Sequence, residues 1–199
     1  MRPPHRPKRG FSLVEVLVSL TLLGLAGSTL LLATASTVQA GGDALAQTIA
    51  RGIAEQLIDD VLGQPYIESG GNALAYPLGR ESGETTVPLK TILFDDSDDY
   101  HQYTSTPPRD PWGCELGTGD GEGGLRPEAF RVADGYFVNW NVEVTVQYAD
   151  ESNPTIDLVA PATSGLRSVT VRITRDQDGG VQELVTLRQV FAYVPPIGS

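Results

Sequence analysis

The chain has 199 residues, long enough for one ordinary domain of ~100–200 residues with an added element. Its formal net charge is −11, yet Arg2, Arg6, Lys8 and Arg9 all precede Gly10 with no acid among them, so −11 less those four cations leaves −15 on the remainder. A body that acidic repels nucleic acid and anionic headgroups, which excludes DNA or RNA binding by that part of the chain.

Taken from the N-terminus, the basic stretch gives way to residues 16–42, which hold no charged side chain. A helix crossing the hydrocarbon core needs ~20 predominantly apolar residues, and this run supplies them. Cations before the span predict that the N-terminus stays cytoplasmic and the C-terminal body lies across the membrane. A removable secretory signal has a shorter apolar region of ~7–15 residues, followed by a small-residue cut site. Ala33-Thr34-Ala35 is the nearest such site and defines the alternative.

One acid stands just ahead of that uncharged run. In Lys8-Arg9-Gly10-Phe11-Ser12-Leu13-Val14-Glu15, a basic leader ends in glycine, phenylalanine follows, and glutamate is the fifth residue of the apolar segment. This arrangement resembles the type IV prepilin N-terminus, shared by pilins and the pseudopilins of type II secretion. Gly10, Phe11 and Glu15 match without a gap, and the resemblance covers about the first 35 residues. It implies cleavage between Gly10 and Phe11 by a prepilin peptidase on the cytoplasmic side, then N-methylation of the new Phe11 amine. It also implies like subunits and an inner-membrane assembly platform as partners.

The chemistry of Glu15 points the same way. An acid within a membrane segment costs a few kcal/mol and needs a named partner. Once the leader is gone, Phe11 carries an α-amine with a pKa near ~8, mostly cationic at neutral pH. In a staggered bundle, the amine of one chain can face Glu15 of its neighbour. Such a pair neutralises both charges and fixes axial register. Within one chain the two groups lie at i and i+4, so a self-pair is open to the unassembled subunit. The plainer alternative is a glutamate near a helix end that reaches the cytoplasmic interface. Gly24, Ala26, Gly27, Ser28 and Ala33 put small residues on the span, allowing close helix approach.

After Gly41-Gly42 the pattern turns amphipathic. Leu45, Ile49, Ile53, Leu57 and Val61 recur every four residues, with Ala46, Ala50, Ala54, Ile58 and Leu62 beside them. That is helical spacing. Pro65 marks the stop. One long helix is expected, with the glycine pair as its weakest point. Residues 66–130 read as loop-rich, with Val87–Phe94 the best apolar stretch. From Val138 to Tyr148 every even position is apolar and every odd one polar, the period of a half-buried strand. Val169, Val171 and Ile173 alternate likewise. Asp176-Gln177-Asp178-Gly179-Gly180 supplies a turn, and a third strand follows from Val181 or Gln182 to Val194. Three antiparallel strands must bury their apolar face, and the stripe from Leu45 to Leu62 is the available cover.

Phe94-Asp95-Asp96-Ser97-Asp98-Asp99-Tyr100 places four carboxylates within five residues. A solvated loop is the expected reading. The alternative is a calcium site made by Asp95, Asp96, Asp98 and Asp99, since hard divalent cations take several oxygen ligands. The spacing is not that of the twelve-residue helix–loop–helix calcium motif. Some pseudopilins bind calcium in their heads, and the string itself resembles one in minor pilins of the mannose-sensitive haemagglutinin type. Asp120 and Glu122 would add ligands only if their loop meets this one. Ser97 and Ser105 flank His101, but no G-x-S-x-G, H-E-x-x-H or phosphate-cradling loop is present, so no enzyme is expected. Cys114, the single cysteine, cannot form an intramolecular disulfide and is expected as a small buried or loop residue.

The sequence thus predicts an α+β, pilin-like chain. Residues 1–10 are a leader, 11–42 a membrane or filament-core helix, 43–64 its amphipathic continuation, and 65–199 a head with its antiparallel sheet over 136–194. A minor pilin or pseudopilin is the expected function. The second reading is a single-pass anchored binding module with an acidic head.

Overall fold

A computed structural model describes residues 12–81, 90–177 and 179–195. The chain divides into two compact units, Met1–Ala46 and Gln47–Ser199. Helix α1 (Leu13–Gly63) runs through Gly41 and Gly42 without a break. Glycine in a helix costs about 1 kcal/mol relative to alanine, too little to interrupt so long an element. The helix ends where it must, because Pro65 disfavours helical backbone in the residue before it.

Most of the first unit is bare apolar surface. Leu22, Leu23, Leu25, Leu30, Leu31 and Leu32 are all 60% exposed or more. The helix is long and apolar enough to cross a membrane. The hydroxyls of Thr21, Ser28, Thr29, Thr34, Ser36 and Thr37 each donate to a carbonyl one turn back, as where Thr34 reaches the Leu30 carbonyl at 2.8 Å, which is how a helix pairs such groups where water is absent.

The second unit holds a four-stranded antiparallel sheet in the order β1-β2-β3-β4. The strands are β1 (Tyr103–Ser105), β2 (Trp140–Tyr148), β3 (Leu166–Gln177) and β4 (Gly180–Ala192). Val142, Val144 and Val146 of β2 and Val169, Val171 and Ile173 of β3 fill one face, all 2% exposed or less. Register follows from that burial, since a one-residue slip would carry every valine to the wrong face. Ile173 pairs with Val185 and Thr174 with Glu183, so Leu184 is an extra residue bulged from β4. The fold is therefore α+β, a long N-terminal helix with a C-terminal antiparallel sheet.

Three expectations change. Strand β1 lies in the stretch expected to be loop, because three residues are too few to display a period. Residues 136–139 precede the sheet as turns rather than opening it. Of the apolar stretch 87–94, residues 87–89 lie outside the described residues, and Thr91–Leu93 form a 3₁₀ turn. The buried line of the helix within the head is Ala50, Ala54, Leu57, Ile58 and Val61, while Ile49 and Ile53 are half-exposed. Leu57 and Val61 of the large-residue stripe are buried as expected, but earlier along the helix Ala50 and Ala54, not Ile49 and Ile53, mark the seam.

Candidate functional site

Gly10 and Phe11 lie outside the described residues. The site begins at Ser12, whose Oγ accepts a hydrogen bond from the Glu15 N–H at 3.2 Å. This is an N-cap, and serine followed three residues later by glutamate is the capping-box pattern. Glu15 stands in the first turn, where the partial positive charge of unpaired amides favours an anion. It is the one charged side chain between residues 12 and 42. Around it Leu13, Val14, Val16 and Leu17 are all about half-exposed or more, so nothing among the described residues covers this end of the helix. The arrangement presents a single carboxylate on an apolar rod, at the end nearest the new amine that cleavage would create.

The acidic stretch is not solvated as expected. Asp96 is 3% exposed, Asp98 7% and Asp99 0%, while Asp95 faces outward. The chain folds over its own carboxylates. Asp99 Oδ2 accepts from the Asp95 and Asp96 amides at 2.9 and 3.2 Å. Asp96 Oδ1 accepts from the Asp98 amide at 2.7 Å and its Oδ2 from the Glu68 amide at 2.9 Å. Asp98 Oδ2 accepts from the Gly79 amide at 3.2 Å. These contacts tie the segment after α1, at Glu68 and Gly79, to the acidic stretch.

The counter-charge is Arg167 of β3, 1% exposed. Its Nη1 lies 2.9 Å from Asp98 Oδ1, donates to Ser97 Oγ at 3.0 Å, and donates to the Tyr66 carbonyl. Its guanidinium stacks over the Tyr66 ring at 4.1 Å and faces the Tyr148 ring at 5.5 Å. Tyr66 also packs on Phe191 and Tyr193, and the Tyr148 hydroxyl donates to the Ala73 and Ala75 carbonyls. Burial, with Asp98 beside it, pushes the Asp96 carboxyl up to about 7.

Among the described residues, no three His, Cys, Asp or Glu side chains converge as a metal ion would require. Asp120 binds its own loop, its Oδ1 accepting from the Glu122 and Gly124 amides, both at 2.9 Å. Cys114 is a half-buried loop residue. Sequence reasoning missed Arg167 and Tyr66. The signal for Arg167 was present, since stepping back by two from Ile173, Val171 and Val169 lands a charge on the buried face.

The family described as Prokaryotic N-terminal methylation motif matches residues 5–31. The match spans the Gly10–Phe11 junction, Glu15 and the first turns of the exposed apolar helix. It supports a type IV prepilin-like protein processed by prepilin peptidase. With the apolar helix, it is consistent with a single-pass membrane anchor. No curated protein and no solved structure matches the chain.

Proposed function

We propose that this type IV prepilin-like chain is a structural minor pilin or pseudopilin subunit. It is cut between Gly10 and Phe11 and methylated on the Phe11 amine. It waits in the inner membrane with its head outside the cytoplasm. It then enters a type IV pilus or type II secretion pseudopilus through α1, beside like subunits on an assembly platform. The observation that carries the reading is the methylation motif over residues 5–31 running directly into an uncovered apolar helix with one acid, Glu15.

Physical reasoning supports the filament step. An apolar rod in lipid gains nothing from an acid at its end, whereas a bundle of such rods gains register when each acid meets a neighbour's amine. The head contributes a rigid body whose loops are locked by the Asp98–Arg167 pair. The first test is the N-terminus of the mature protein, expected at methylated Phe11.

A further inference from the structure

Strand β2 has nine residues and its outer partner β1 only three. Pairing on that edge stops where Tyr103 meets Val144. The reason is local: Gln102 has φ 59°, a left-handed conformation that turns the chain away from β2 before it reaches Val146. The edge is met again at Tyr148, whose carbonyl accepts from the Leu158 amide at 2.7 Å. Between these two points lies a cleft of about 620 Å³. Tyr76, Pro77 and Leu78 form one wall, and Leu158, Ala160 and Ala162 the other.

The floor of the cleft is strand backbone. Ala149 donates its N–H to the Leu166 carbonyl, towards β3, so the polar groups of Tyr148 and Val146 point the opposite way, into the cleft. The Val146 carbonyl faces the His101 ring. The Val146 and Tyr148 amides have no hydrogen-bond acceptor among the described residues. Two amides two residues apart on a strand are separated by about 7 Å. That spacing fits the alternate carbonyls of an extended peptide. It is too wide for a single anion or one sugar hydroxyl to bridge.

Charge narrows the choice. Burial lowers the pKa of His101, favouring its neutral form, and among the described residues lining the cleft leaves Glu143 the only other ionisable group apart from tyrosines. The chain as a whole is acidic, at a formal net charge of −11, and Arg80 is the cation that acts on His101. We propose that this cleft binds an extended, cationic polypeptide segment, which adds to the free edge of β2 between β1 and Leu158 with a lysine or arginine beside Glu143. This inference does not depend on filament assembly.

The test uses the full chain in detergent micelles and the fluorescein-labelled peptide Thr-Val-Lys-Val-Thr, capped at both ends. Saturable binding is expected below about 1 mM, the range for a short strand with few anchors. Residue-resolved hydrogen exchange should show the Val146 and Tyr148 amides slowed at least tenfold by the peptide. The same peptide with Glu for Lys should not bind. Glu143→Gln should weaken binding several-fold, and Ala160→Trp, which fills the cleft, should abolish it. The proposal is overturned if the two amides are already strongly protected in the free chain. It is equally overturned if the peptide slows neither amide, or if both variants bind it as well as the original.

Discussion

Arg167 Nη1 and Asp98 Oδ1 lie 2.9 Å apart in a place almost closed to water. One residue belongs to strand β3 and the other to a 3₁₀ turn 69 positions earlier, so the pair staples loop to sheet. Removing one member of a buried pair strands the other. Arg167→Met should therefore cost about 3–5 kcal/mol. That corresponds to a fall in melting temperature on the order of 10 °C for a chain of this size. Thermal unfolding of the full chain in detergent measures it, and a fall of under about 2 °C would show the pair to be incidental.

Asp96 gives the head a pH dependence whose sign is fixed. Its carboxyl titrates near 7 in the folded head, against an ordinary value of 3.8. Between those values the folded chain binds more protons than the unfolded one. The stability it contributes is complete at the acidic end and is lost as pH rises towards 7. Melting temperature should fall across that window, and Asp96→Asn should flatten the slope. An unchanged slope in the variant would assign the effect elsewhere.

The same carboxylates bear on calcium. Asp96 turns both carboxylate oxygens and Asp99 its Oδ2 towards backbone amides, and Asp98 turns towards Gly79 and Arg167. A calcium ion wants about six to eight oxygens and would have to displace those donors. Titration to millimolar calcium should leave the melting temperature unchanged. A ligand at 100 times its Kd adds about 2.7 kcal/mol, so a rise of several degrees would restore Asp95, Asp96, Asp98 and Asp99 as a site.

Glu15 separates processing from assembly. Glu15→Ala removes the acid but leaves Gly10 and Phe11 in place, so cleavage should proceed. Incorporation into filaments should drop at least about tenfold, the factor that goes with ~1.4 kcal/mol. Immunoblots of sheared filaments against membrane fractions read the two steps apart. Undiminished incorporation would reduce Glu15 to its visible role in the capped first turn beside Ser12.

Several parts of the molecule are legible in the sequence because they are periodic or motif-bound. The span, the Glu15 position and strands β2 and β3 each carry a repeating pattern or a fixed spacing. Strand β4 was seen but not its bulge, since Leu184 breaks the period that reveals a strand. The seam on α1 was misjudged because hydrophobicity ranks Ile49 and Ile53 above Ala50 and Ala54, whereas close packing prefers the smaller side chains. The acidic stretch misled most. Three of the four aspartates look solvated until the chain folds over them and Arg167, far along the sequence, meets Asp98, and local composition carries no trace of so distant a partner. Only the two-residue rhythm of β3 hinted that Arg167 faces inward.

The central claim is that Gly10 is a cut site and that cutting creates the amine Glu15 needs. Intact-mass and N-terminal analysis of the mature protein tests it most directly. The account predicts a chain that begins at Phe11 and carries one methyl group on its α-amine. A mature chain that still begins at Met1, or one cut after Ala35, would contradict it.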